Sequence, residues 1–134
     1  MAKDAGNSFL LNTLNNRLAL NVAGFLGFSG VLLGAFGAHL LRDLLERLGT
    51  AQSWRTAVLY HLVHAVVLLV LAGWRPIPRL SYCLILFGVI VFSGSLYALA
   101  LTNLRWFGAV TPLGGLGMLL GWLSLGLSKR NKSG

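Results

Sequence analysis

Residues 80–104 read LSYCLILFGVIVFSGSLYALALTNL, 25 residues without a charged side chain. As a helix that run is about 38 Å long, enough to cross a hydrocarbon core of roughly 30 Å. A membrane β-strand would alternate apolar and polar positions over about ten residues, whereas this run is apolar almost throughout, so the pattern predicts a spanning helix. Three more uncharged stretches accompany it, at 18–41, 56–74 and 106–128. The 134 residues are 56% hydrophobic and 10% charged, where soluble domains carry about 25% charge. The expectation is an all-α integral membrane four-helix bundle, a single transmembrane domain over 1–134. A compact water-soluble domain is excluded.

The charges outside these runs mark their ends. The chain carries a net charge of +8. Its Lys and Arg bracket the apolar runs singly and do not gather with exposed aromatics on one polar face, which excludes a nucleic-acid partner. Arg17, Arg42, Arg55, Arg75, Arg79, Arg105 and Lys129 stand where a long stem snorkels to the interface, and Trp54, Trp74 and Trp106 are expected beside them at headgroup level. With four spans, Lys3, Arg17, Arg75, Arg79, Lys129, Arg130 and Lys132 fall on the face of both termini. Only Arg42, Arg47, Arg55 and Arg105 fall on the other. The excess predicts cytoplasmic termini.

The first run is longer than a signal-peptide core of about 7–15 residues, so it is expected to stay as a helix despite a passable cleavage site at 35–37. Residues 1–16 are expected to be a partly ordered tail. Too little Arg precedes the first run for a mitochondrial presequence, and a bacterial-type inner membrane is expected. The single cysteine, Cys83, excludes an internal disulfide and is expected to pack.

Smaller features refine the bundle. Gly30 and Gly34 in the first run, and Gly117 and Gly121 in the last, have the small-xxx-small spacing that lets helix backbones approach closely. Over 41–48, Leu41, Leu44, Leu45 and Leu48 share one helical face and Arg42, Asp43, Glu46 and Arg47 the other. This predicts a short amphipathic interfacial helix after the first span, with Asp43 and Arg47 spaced to pair. Gly49 suits its stop, and Thr50 or Ser53 an N-cap for the next span. Pro76 and Pro78 make a rigid turn. Thr111-Pro112 reads as an N-cap followed by proline at the first helical position, which would start the last helix at Pro112; the alternative is a helix from 106 kinked at Pro112.

Counting inward from the flanking charges places His39, His61 and His64 in the outer half of the membrane, with Tyr97, Ser93, Ser95 and Thr111 at similar depth and Tyr60 one turn from His64. One polar cluster is expected there, facing the amino end of the last helix. Ionisable groups inside spans often mark a ligand or proton pathway. The competing reading is that these groups satisfy one another and hold the helices together. His61 and His64, at i and i+3 on one helix, cannot be opposite axial ligands of one haem, which would need His39 to oppose one of them. No metal and no cofactor are expected. No acid lies inside a span, so no carboxylate orients a Ser and His pair for hydrolysis. The expected function is therefore non-enzymatic: a packing subunit in contact with membrane lipids and with itself or a larger membrane complex. The alternative is a small transporter, channel or ligand-binding protein working through the histidines.

The stretches Leu33-Gly34-Ala35-Phe36-Gly37-Ala38-His39, Tyr60-His61-Leu62-Val63-His64-Ala65, Phe92-Ser93-Gly94-Ser95-Leu96-Tyr97 and Thr111-Pro112-Leu113-Gly114-Gly115, the last running on to Gly121-Trp122, resemble the small membrane family catalogued as domain of unknown function 423. The resemblance covers about residues 18–127. It implies a four-helix membrane protein with no established biochemical role, and it puts His39, His61 and His64 on the family's histidine-bearing positions.

Overall fold

The computed structural model describes the backbone of residues 2–128 and the side chains of 15–128. Its helices run α1 (Ala2–Ala38), α2 (Arg42–Leu48), α3 (Ala51–Ala72), α4 (Arg79–Thr102) and α5 (Trp106–Leu127). Four are long and apolar enough to cross a membrane: the Asn15–Ala38 part of α1, and α3, α4 and α5. Helix extends back to Ala2 over residues expected to be a tail, because lengthening an existing helix adds one bond per residue with no new nucleus. Lys129, Arg130 and Lys132, used above to orient the chain, lie outside the described residues.

Neighbours in space follow chain order. α1 packs on α3, α3 on α4 and α4 on α5, while among the described residues the backbones of α1 and α5 do not meet. A single core still touches all four spans: Ala19 and Ala23 from α1, Leu68 and Leu71 from α3, Ile85 and Val89 from α4, and Met118 from α5. The α4–α5 contact is made through glycine. A Cβ on Gly114 would strike the Phe92 backbone, one on Gly117 would lie 3.1 Å from Gly88 Cα, and one on Gly121 would lie 3.0 Å from Ile85 N. Hydrocarbon gives helices no hydrophobic reason to associate, so this close van der Waals approach is what holds the pair. The Gly30–Gly34 spacing does the same for α1. A Cβ there would lie 2.7 Å from Leu62 Cδ2 and 3.3 Å from Val58 Cγ1 of α3.

One turn further along α1, Gly37 lies against the Trp54 indole. This corrects the reading of Trp54 as a headgroup anchor. The ring is buried, and its Nε1–H donates to the Leu33 carbonyl at 3.0 Å. The indole N–H needs a partner once desolvated, and α1 offers one that lipid cannot. Trp106, by contrast, is exposed. Cys83 is exposed too, and does not pack in the core.

The interfacial helix α2 buries Leu45 beside Trp54 and Ala100 and keeps its charged face outward. Its ion pair is shifted by one residue from the expected Asp43 and Arg47: Arg42 Nε meets Glu46 Oε1 at 3.0 Å, while Arg47 Nε donates to the Asp43 backbone carbonyl. The Glu46 carboxylate raises the pKa of Arg42. Gly49 ends α2 in the left-handed conformation, at φ 67°. Thr50 precedes α3 without capping it; its hydroxyl donates instead to the Ala100 carbonyl of α4 at 2.7 Å.

The last span keeps Pro112 inside a continuous helix from Trp106, not at its start. Thr111 is therefore not an N-cap. Proline leaves the carbonyl four residues back without its usual donor, and membrane helices tolerate this where nearby hydroxyls and neighbouring helices supply polar contacts. The carbonyl concerned is that of Gly108; beside it, Thr111 Oγ1 donates to the Phe107 carbonyl at 3.2 Å and meets Ser95 Oγ of α4 at 2.8 Å.

Candidate functional site

The polar side chains singled out in the sequence do not form one cluster. His39 is exposed in the turn that closes α1. Measured from the start of α3 at Ala51, His61 and His64 lie about 15 and 20 Å along the helix, near the middle of the span and not at its outer end. The two rings face different neighbours.

His61 joins three helices. Its Nδ1 is 3.2 Å from the Tyr97 hydroxyl of α4, and its Nε2 is 3.4 Å from Ser29 Oγ of α1. The Ser29 hydroxyl is within reach of the Phe25 and Leu26 carbonyls, at 2.9 and 3.1 Å. Every group is satisfied if Ser29 donates to its own backbone, His61 Nε2–H donates to Ser29, and Tyr97 donates to His61 Nδ1. Trp54 meets the edge of Tyr97 at 4.7 Å between centroids.

His64 faces α5. Its Nδ1–H donates to the Tyr60 carbonyl at 2.8 Å, and its Nε2 accepts from Trp122 Nε1–H at 3.2 Å. Together these bonds require a neutral ring with its proton on Nδ1, the tautomer opposite to that of His61. Tyr60 supplies that carbonyl and a ring that stacks on His64 at 5.9 Å and lies tilted against Phe92 at 4.6 Å.

The hydroxyls form separate ties. Ser93 Oγ donates to the Ala57 carbonyl, joining α4 to α3 at 2.9 Å. Ser95 and Thr111 hydroxyls meet at 2.8 Å between α4 and α5, and Ser95 also reaches the Phe92 carbonyl at 2.9 Å. The amino end of α5 does not point into any of these groups, since the helix begins more than a turn before Thr111. Among the described residues no group of three His, Cys, Asp or Glu is placed to hold a metal ion.

Sequence reasoning missed Ser29 and Trp122 as partners of the histidines. A serine and an indole inside apolar runs both need hydrogen bonds, and that need was the available signal. It also passed over Asn21, whose side chain is exposed on the outward side of α1, about 9 Å along the helix from Asn15. A carboxamide inside an apolar run was the signal there.

Comparison with known proteins agrees with this architecture. Residues 33–115 match the family described as Protein of unknown function (DUF423). A UPF0382 membrane protein of Staphylococcus epidermidis is 41% identical over 105 residues, covering 69% of this chain and 78% of its own length. The UPF0382 membrane protein YwdK of Bacillus subtilis is 38% identical over 100 residues, covering 69% and 80%. The UPF0382 inner membrane protein YgdD of Escherichia coli is 40% identical over 115 residues, covering 81% and 86%. No solved structure matches. With its four apolar helices in contact with lipid, the chain is an integral membrane protein that belongs to the DUF423 family of unknown function.

Proposed function

We propose that the chain is a non-enzymatic packing subunit of a bacterial inner membrane, with both termini in the cytoplasm, and that it pairs with a second copy of itself through the outward side of α1. The observation that carries this reading is where the polar groups go. His61, His64, Tyr97, Ser93, Ser95 and Thr111 are all hydrogen-bonded to neighbouring helices or to their own backbone. Adding a proton to His64 Nε2 would remove the acceptor of Trp122, which argues for a tie between helices over a proton relay. The naming of YgdD as an inner membrane protein supports the compartment, and the Lys and Arg distribution supports the orientation.

The outward side of α1 supports self-association. Asn21 is exposed there, and a Cβ on nearby Gly24 would meet nothing within 4 Å. An amide facing hydrocarbon is unfavourable, and across a two-fold axis two copies of Asn21 can bond to each other while Gly24 lets the backbones close in. Photobleaching of singly labelled chains in lipid vesicles tests this: pairs are expected for the parent chain and single copies for Asn21→Leu. A parent chain that stays single at every protein-to-lipid ratio overturns the pairing. The histidine role is tested by replacing His61 and His64 with Ala together. A packing role predicts a lower Tm, whereas loss of proton or solute flux from a bundle of unchanged Tm would assign the histidines to transport.

A further inference from the structure

At the end of the bundle that carries α2, a groove of about 490 Å³ opens between α1, α2 and α3, within the range of small-ligand sites. Its α1 wall is made of small residues, Gly34, Gly37 and Ala38. Three charged side chains stand at its mouth, Arg42 and Glu46 from α2 and Arg55 from near the start of α3. Arg42 follows the end of α1 at Ala38, and Arg55 directly precedes the uncharged run 56–74, so this mouth is level with the membrane surface. Deeper in, the α3 wall is apolar, with Val58, Leu59 and Leu62. Leu62 is seven residues beyond Arg55, about 10 Å along the helix. The three charges are not equivalent. Arg42 Nε and Glu46 Oε1 already pair at 3.0 Å. Among the described residues the other Glu46 oxygen has no partner, and Arg55 is exposed with no hydrogen bond or ion pair. Of the chain's other acids, Asp43 does not line the groove, and Asp4 precedes Gly34 by thirty residues of α1, about 45 Å along the helix.

We propose that this groove binds one zwitterionic aminophospholipid of the phosphatidylethanolamine class from the leaflet beside α2. Its phosphate sits on Arg55, its ammonium on Glu46 Oε2, and the upper part of an acyl chain along Val58, Leu59 and Leu62. The two-part lining matches an amphiphile, charged at the surface and apolar below. A guanidinium holds phosphate through paired N–H donors, and a carboxylate oxygen accepts from a primary ammonium. Both signs of charge at one mouth select a headgroup that also carries both. A purely anionic headgroup would satisfy Arg55 but bring its charge beside Glu46 with no cation to offset it. The groove begins about 20 Å along α1 from Asn21, so it is independent of how α1 pairs with a second copy.

The full chain in an uncharged detergent is titrated with lipids of identical acyl chains and the bound lipid counted by native mass spectrometry. Phosphatidylcholine has the same phosphate and the same net charge as phosphatidylethanolamine, but its quaternary ammonium has no N–H to donate, so this pair of lipids reads the Glu46 contact. An exposed charged contact is worth up to about fivefold in affinity. The parent chain is expected to retain one phosphatidylethanolamine with about that preference over phosphatidylcholine, and Glu46→Gln to bring the preference close to one. Arg55→Gln should weaken both lipids alike by about fivefold, while Arg75→Gln, at the opposite end, changes neither. Equal retention of the two lipids by the parent, a preference that survives Glu46→Gln, or stronger retention of phosphatidylglycerol than of phosphatidylethanolamine overturns the proposal. Displacement by free phosphoethanolamine at the same concentration assigns the site to a soluble phosphate compound and overturns the lipid. A second readout needs no variant. N,N-Dimethyl phosphatidylethanolamine still carries one N–H and should keep a preference of at least about threefold over phosphatidylcholine; equal retention of those two overturns the proposal even where a variant fails to fold.

Discussion

Gly114 has room for a hydrogen and nothing larger, because its missing Cβ would enter the backbone of Phe92. Backbone cannot swing aside as a side-chain tip can, so Gly114→Ala must part α4 from α5. It is expected to destabilise the chain by about 1–3 kcal/mol in detergent unfolding. Gly126→Ala, where nothing lies within 4 Å, should stay within about 0.5 kcal/mol. Trp122→Phe keeps an aromatic ring but removes the donor to His64 Nε2, for an expected loss of about 1 kcal/mol. In a double-mutant cycle with His64→Ala the two losses should not add, and simple additivity would show that the bond does not form in the membrane. The histidines stood out in the sequence because ionisable groups are rare in spans. Their partners did not, since Ser29, Trp122 and the Tyr60 carbonyl are chosen by rotation of the helices about their axes, which no local pattern encodes.

Element type and number were legible because uncharged runs longer than the bilayer is thick leave few alternatives. The ends were less so. Thr111-Pro112 has the composition of a helix start, yet Trp106 to Val110 are already helical when the chain reaches it, and the loss of one backbone bond does not outweigh a helix anchored on α4 through Gly114, Gly117 and Gly121. The segment α2 shows which part of a pattern carries weight. Its charged face supplied a plausible pair in Asp43 and Arg47, and the chain uses Arg42 and Glu46 instead. An exposed i,i+4 pair is worth about 0.3–0.5 kcal/mol, so the choice between them is nearly free. Leu45 is different, since it is buried against Trp54 and Ala100. Leu45→Ala is expected to cost about 2–5 kcal/mol and to loosen α2 from the bundle, seen as faster amide exchange over 42–48. Glu46→Gln should change stability by less than about 0.5 kcal/mol.

On the scale of the whole molecule, short connections made it legible that successive spans run antiparallel, but not that one side of the bundle stays open. α1 meets α3 and α5 meets α4, and among the described residues no backbone contact closes α1 onto α5. Two long side chains reach diagonally across the interior instead, Trp122 from α5 to His64 of α3 and Tyr82 from α4 to the Ala19 carbonyl of α1. The α4–α5 pair is joined by close backbone contact through glycine, whereas α1 is held to α4 by the Tyr82 bond and to α3 along one face. α1 should therefore open at lower free energy than the α4–α5 pair. Tyr82→Phe keeps the ring in the core and removes only the hydroxyl, at an expected cost of about 1 kcal/mol. Its effect should be local: in lipid nanodiscs, amide exchange is expected to rise over the Asn15–Ala38 part of α1 and to stay unchanged across α4 and α5. An equal rise in α5 would mean that the four spans open as one unit, and that the diagonal bonds add nothing to the order in which they separate.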